Sequence, residues 1–350
     1  MPAGRPGLAG VSRRALFLDT LPGERRGVVA LGGQPERLLI ERDGEADRPR
    51  LGETWRGRIG AAASGFRGVF VDLGSGPAAL LANEAGGQPT QGATIEVEIT
   101  AEARADKGPL VRRLGAGEGA PGRVTAQASL EDRLQAFAPE ATIQTGRGAR
   151  DAADLAEEAA LATVHDLSDG LSLAIERTRG LIAVDVDMSK AQAGKHGVLS
   201  ANLSAIKETA RLLRLQGLGG LVVIDLVGKA SEHVPILAAA KAAFDPDQPG
   251  LVLAGVSRLG VLELARPWRE TPVAERLLDA DGLPTVRTLA QRLVRDLERA
   301  GRADPGAQLV GVCAPDVAEA AEALVTALGP RFGIRAEVGR AAGSTDIQVR

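Results

Sequence analysis

Leu181-Ile-Ala-Val-Asp185-Val-Asp187 and Leu221-Val-Val-Ile-Asp225 are two hydrophobic runs that each end in acid, and LSANLSAIKETARLLRL (Leu199–Leu215) lies between them. Aliphatic and β-branched runs of this length predict buried strands, and the apolar period between them predicts an amphipathic helix. A strand–helix–strand unit joins parallel strands. If the two strands are neighbours, their carboxyl ends lie side by side and bring Asp185 to Asp225. Open α/β sheets bind ligands along that edge. Two carboxylates so close repel unless a proton or cation separates them, and hard oxygen ligands suit a divalent ion such as Mg2+. The competing account is that each Asp only caps a helix or forms a turn. The pairing across one unit, with Asp187 as a third carboxylate, is what makes a metal site a candidate.

The rest of the composition narrows the possibilities. At 350 residues the chain has room for two or three domains with real cores. Its net charge of -3 argues against a globally basic nucleic-acid binder, so RNA contact requires a local patch of Arg and Lys. The single cysteine, Cys313, excludes an internal disulfide framework and a multi-cysteine zinc site within the chain, and it fits a reducing cytosol. His165, His196 and His233 are scattered and share no ligand spacing. No apolar run reaches the ~20 residues that span a bilayer, and MPAGRPGLAGVSRR lacks the apolar core of a signal peptide. A cytoplasmic protein with no membrane partner is expected.

Outward from the acidic strands, residues 1–13 read as a flexible tail, and strands are predicted at Ala15–Asp19, Gly27–Leu31 and Arg37–Ile40. The charged stretch ERDGEADRPR (Glu41–Arg50) marks a boundary. Residues 51–114 carry five short strands separated by glycine turns, the pattern of a small OB-type barrel. Trp55, Phe66 and Phe70 fall there among Arg56, Arg58, Arg67, Arg112 and Arg113, either as stacking platforms beside cations or as barrel filling. GAGEGAPG (Gly115–Gly122) follows no buried strand and opens no helix, so it reads as a hinge and not a phosphate loop. Leu130 to Ala162 reads as helical, with Asp151 as an N-cap, and Leu171–Arg179 as a strand antiparallel to the first acidic run. A helix (SEHVPILAAAKAAF) and a strand (GLVLAGVS) follow Asp225. Residues 267–283 read as a linker, and 284–350 as a small α/β unit with strands in GAQLVGVCAP and GIRAEVGR.

These motifs resemble the ribonuclease E/G family. TRGLIAVDVDMSKA followed by NLSAIKETARLLRLQGLGGLVVIDLV is similar to its catalytic segment, where a strand ending Asp-Ile-Asn precedes a helix and a Gly-Gly-Leu-Ile-Val-Ile-Asp strand. VSRLGVLELAR resembles its Ser-Arg-Phe-Gly-Leu-Leu-Glu motif, GETWRGRIG…GVFVDLG its S1 domain, and TVRTLAQRL with the terminal IQVR its C-terminal small domain. The resemblance runs collinearly from Arg14 onward, with Gly217–Asp225 as its most specific piece. It implies a ribonuclease H-like catalytic core from residues 14–50 and 115–266, an inserted S1/OB barrel at 51–114, and the small domain at 284–350. Asp185 and Asp225 would hold Mg2+, with Mn2+ as an alternative, and Asp187 stands where the family has an Asn that positions water. Arg258 would neutralise a phosphate beside the metal. Phe70 and Lys107 match RNA-contacting positions of the S1 domain, a second aromatic there is replaced by Leu80, and Trp55, Arg56 and Arg112 join the candidate RNA-binding set.

Departures from the family are equally specific. ETPVAERLLDADGLPTV stands in place of its Cys-Pro-x-Cys zinc link, so neither zinc nor a zinc-linked dimer is expected, although other self-association stays open. The stretch between Leu114 and Thr145 is short and lacks the Ile-Val-Arg-Thr-Ala motif that reads a 5′-monophosphate, which implies loss of that sensor. The leading expectation is a Mg2+-dependent endoribonuclease cutting single-stranded RNA to a 5′-phosphate and a 3′-hydroxyl. Its rivals are a catalytically weakened RNA-binding adaptor of the same family and a DNA-processing nuclease.

Overall fold

A computed structural model describes residues 14–63, 65, 67–82, 90–125, 128–167, 170–188, 197–228 and 233–349. Phe66, His196 and the tail at 1–13 therefore lie outside the described residues. The fold is mixed α/β, built on several sheets.

Strands β1 (Arg14–Leu21), β2 (Glu24–Leu31) and β3 (Gln34–Arg42) form an antiparallel meander. The chain then enters a closed barrel of β4 (Thr54–Ala63), β5 (Gly68–Asp72), β6 (Ala79–Ala82), β7 (Thr94–Ala101) and β8 (Leu110–Ala116). Closure comes from β5, which pairs with both β4 and β6, while β8 lies parallel to β6 and antiparallel to β7. Alternate residues of β7 are buried, as a strand with one face on a filled barrel requires. A two-residue strand, β9 (Gly122–Arg123), returns to β4.

The predicted helical stretch from 130 to 162 is interrupted. Helix α1 (Leu130–Gln135) is closed by a capping box between Ser129 and Asp132, and β10 (Ile143–Gln144) then pairs with β1 before α2 (Arg147–Leu161) begins. Asp151 is not its cap: the N-cap is Gly146, at φ +80°, and Asp151 sits a turn inside, 3.8 Å from Arg147.

The acidic runs belong to a second sheet. It comprises β11 (Val164–Asp166), β12 (Leu171–Arg177), β13 (Ile182–Met188), β14 (Gly220–Asp225), β15 (Val252–Val256) and β16 (Val261–Arg266), in the order β11-β12-β13-β14-β16-β15. Helix α3 (Gly197–Gln216) crosses between β13 and β14, and α4 (His233–Phe244) between β14 and β15. Ile182, Val184, Val222, Ile224, Leu262 and Leu264 point into a core filled by Ala205, Ile206, Leu212 and Leu213 of α3 and Phe244 of α4. Val28, Leu38 and Ile40 of the first sheet close that core from the far side. Residues 14–42 do not join the aspartate-bearing sheet. They form a separate sheet, with α2 and α3 packed between the two.

Residues 267–283 are not a bare linker. They hold α5 (Val273–Leu277), whose Val273 and Leu277 are buried in the main core. Beyond it, α6 (Val286–Ala303) and α7 (Pro315–Leu328) pack on a three-stranded sheet of β17 (Leu309–Cys313), β18 (Phe332–Ala336) and β19 (Asp346–Val349). Buried ion pairs fasten α6 to the rest. Arg26, 1 % exposed, reaches Asp19 at 2.7 Å, Asp154 at 2.8 Å and Glu157 at 3.2 Å, while Arg295 reaches Glu24 at 2.6 Å and Glu157 at 3.0 Å. No described helix is long and apolar enough to cross a membrane.

Candidate functional site

Strands β13 and β14 are parallel neighbours, and their register pairs Asp185 with Asp225. Adjacent strands lie about 4.8 Å apart, and partnered residues project to the same face. Both carboxylates therefore stand together on the face turned away from α3, where Leu221 is 47 % and Val252 61 % exposed. Sequence dictates this placement. Each run alternates aliphatic residues into the core, so Asp185 and Asp225 fall on the outward positions at the carboxyl ends of their strands.

The flanking elements complete the edge. Asp225 pairs laterally with Val261 of β16, so the β15–β16 hairpin turns directly beside it, with exposed Arg258 at the turn. Asp187 is also exposed, but its Oδ1 accepts a 2.8 Å hydrogen bond from the Met188 N–H, which folds it back on its own backbone. Glu263, opposite Val223, adds another carboxylate to the same face, one register step further back. The loop leaving Asp225 is held from below by Asn202 of α3, which is 1 % exposed. Its Nδ2 donates to the Val227 carbonyl at 3.1 Å and its Oδ1 accepts from the Val227 N–H at 2.9 Å. Sequence reading assigned Asn202 no role. The one available signal was a short polar amide on the apolar side of a helix.

This donor set suits Mg2+, which binds through one or two carboxylates and keeps several waters for substrate phosphates to replace. Among the described residues no group of three or more His, Cys, Asp or Glu is placed to hold a metal, and Asp185 and Asp225 are the two carboxylates that the strand register brings together.

The barrel divides the remaining candidates. Phe70 on β5 is 38 % exposed and stands opposite Leu80 on β6, itself opposite Leu110 on β8, an apolar row on the outer wall. Lys107 is exposed three residues before Leu110, in a turn closed by backbone hydrogen bonds to Arg104. Gly108 keeps that turn in place, because a Cβ there would lie 1.9 Å from the Ala78 carbonyl oxygen. Phe70 and Lys107 thus share one side of the barrel. Arg112 follows Leu110 by two residues on β8 and Arg56 lies on β4, and each stands opposite a carboxylate of β7, Glu98 and Glu96 respectively. Trp55 is a correction. It is 2 % exposed, its Nε1 donates to Glu53 at 2.9 Å and Arg123 covers its ring, so no face remains for a base.

The barrel is anchored at the far end of β14. The Glu102 N–H donates to the Arg269 carbonyl at 2.7 Å, and Arg104 and Arg177 stack on Trp268, which lies against Gly220. That anchor and Asp225 are separated by the length of β14, about 17 Å.

Residues 129–269 match the ribonuclease E/G family. A chloroplastic ribonuclease E/G-like protein of Arabidopsis thaliana is 33 % identical over 107 residues, covering 29 % of this chain and 11 % of the relative. Ribonuclease E of Escherichia coli (strain K12) is 32 % identical over 105 residues, 29 % of this chain and 10 % of the relative. Ribonuclease G of the same strain is 26 % identical over 167 residues, 44 % and 34 % respectively. The match spans about a tenth of the first two relatives and about a third of the last.

Proposed function

This chain carries a ribonuclease E/G family segment at residues 129–269, and on that premise we propose that it is a Mg2+-dependent endoribonuclease acting on single-stranded RNA. The observation that carries the reading is the register of Asp185 with Asp225 on an open sheet face inside the matched segment. The strand order of the barrel, with β8 inserted between β6 and β7, supports an S1/OB unit over residues 51–114. The two sheets with their helices would form the catalytic body and residues 284–350 the small domain.

When bound by Asp185 and Asp225, Mg2+ supplies an activated water and stabilises charge on a phosphoryl oxygen. Arg258 meets the phosphate as a bidentate donor at the same edge. Phe70 stacks a base and Lys107 neutralises a phosphate on the barrel, and the bound strand then runs along the open face toward Asp225. Asn202 keeps the backbone after Asp225 fixed, so the carboxylate does not have to be ordered during reaction.

Fluorogenic single-stranded RNA with a Mg2+ titration tests the proposal. Asp185→Asn and Asp225→Asn are expected to abolish Mg2+-dependent cleavage while RNA affinity, read by anisotropy, persists. Wild-type rates in both variants would remove the site. The second reading, an RNA-binding adaptor that no longer cuts, draws on Asp187, whose side chain is committed to the Met188 N–H. Tight binding by the unaltered protein without Mg2+-dependent turnover would establish it.

A further inference from the structure

Leu259 is 90 % exposed at the turn of the β15–β16 hairpin. Scattered surface leucines are ordinary. This one differs in how it is held and in what stands beside it.

The turn is tightly built. The Gly260 N–H donates to the Ser257 carbonyl at 3.0 Å, the Ser257 N–H to the Val261 carbonyl at 2.9 Å, and the Leu259 N–H to Ser257 Oγ at 3.2 Å. Gly260 has φ +90°, so the loop is a three-residue hairpin turn closed by a glycine bulge, and any other residue there is strained. Such a turn points its two central side chains, Arg258 and Leu259, out of the sheet. A Cβ on Gly260 would lie 4.0 Å from the Gly228 carbonyl oxygen, so the turn runs beside the loop that follows Asp225. Val261 is the lateral partner of Asp225, and Leu259 is two residues further along, about 10 Å from the carboxylate-bearing backbone.

An apolar side chain is therefore presented to water on a rigid mount, next to a guanidinium and a pair of carboxylates. It belongs to none of the packed cores, so folding does not explain it. Aliphatic wedges enter between nucleic-acid bases and unstack them, and an adjacent Arg holds the phosphate of the opened step. We infer that Leu259 is a wedge that parts two successive bases of single-stranded RNA at the Asp185–Asp225 edge while Arg258 grips the phosphate between them. The inference rests on the reading of that edge as an RNA-processing site and deepens it. The wedge selects the step that is cut by how easily its bases unstack, without reading a base edge.

The test uses the full chain carrying Asp225→Asn, which leaves RNA uncut, and short single-stranded RNAs with 2-aminopurine tiled along the sequence. Binding is expected to raise fluorescence several-fold at one or two adjacent positions. Adding Leu259→Ala should remove most of that rise and weaken binding about 3- to 10-fold, and Leu259→Phe should preserve both. Unchanged melting of Leu259→Ala shows that the fold is intact. Equal fluorescence and affinity with and without Leu259 overturn the wedge. In the active protein, Leu259→Ala should redistribute cleavage positions on a long RNA. An unchanged pattern from a cutting enzyme sinks the wedge alone, whereas no cutting with a Leu259-dependent fluorescence rise sinks catalysis and keeps the wedge. Absence of RNA binding ends both.

Discussion

Two groups of carboxylates in this molecule are built oppositely. Asp19, Glu24 and Glu157 are buried and saturated with arginine, whereas Asp185 and Asp225 are exposed and have no ion pair among the described residues. Burial is the largest influence on Glu157 and would raise its pKa. The guanidinium groups of Arg295, Arg26 and Arg292 overcome it and hold the carboxyl below its ordinary value. On the cationic side, Asp19 and Asp154 outweigh burial at Arg26 and raise its pKa, while burial and the neighbouring Arg26 push Arg295 down. The contrast separates cohesion from chemistry. A carboxylate whose lone pairs are all taken fastens α6 to the first sheet, and one left open to water can accept a cation and a substrate.

The largest expected effect lies at the open pair. Asp225→Asn should lower Mg2+-dependent cleavage by about a thousandfold, roughly 4 kcal/mol of barrier, with an unchanged melting temperature. A large loss of stability in that variant would break the comparison, because it would make Asp225 structural.

Next comes the buried group. Glu157→Gln leaves Arg26 and Arg295 without their shared counter-charge and should cost about 3–5 kcal/mol in urea unfolding. Its pH dependence has a definite sign. The folded carboxyl titrates below its ordinary value of 4.5, so its stabilisation is complete above that value and is lost as pH falls through the depressed folded one. The variant should therefore show a shallower acid limb than the parent. Parallel acid limbs would show that Glu157 does not carry this share of cohesion.

Asn202 joins the two worlds, a buried polar group serving the open site. Asn202→Leu strands the Val227 N–H and carbonyl and should cost about 2 kcal/mol of stability. The sharper readout is kinetic. Amides at 226–228 should exchange faster and kcat should fall with little change in RNA affinity. Loss of affinity without loss of kcat would refute its positioning role.

How much of this was legible depended on the range of the determinant. The β13–α3–β14 unit and the Asp185–Asp225 register follow from local periodicity and from the rule for parallel crossovers. Trp55 was not legible, because alternation along β4 shows that one side is buried without showing which, and only the neighbouring strands decide that Trp55 and Ile59 face inward. The start of α2 was missed for a related reason. Asp151 has capping chemistry, but Gly146 with its positive φ makes the turn that precedes the helix. Residues 267–283 read as a linker ahead of the final unit, yet they hold α5, with Pro272 as its N-cap. Asn202 bonds to a residue 25 positions away, beyond any local pattern.

The smallest expected effect tests the same contrast within the barrel. Phe70 and Trp55 are both aromatic, but one is 38 % exposed beside Leu80 and the other 2 % exposed beneath Arg123. Phe70→Ala removes a stacking face and should weaken single-stranded RNA binding by about 1–2 kcal/mol, roughly tenfold, at constant stability. Trp55→Ala should instead empty part of the barrel core and cost about 3–5 kcal/mol of folding free energy. The Phe70 effect should vanish on an RNA whose bases are replaced by abasic sites, because phosphate contacts through Lys107 do not depend on a base. If Phe70→Ala weakens the abasic strand equally, the outer wall contributes shape and not stacking. The RNA-binding part of the proposal would then rest on charge alone.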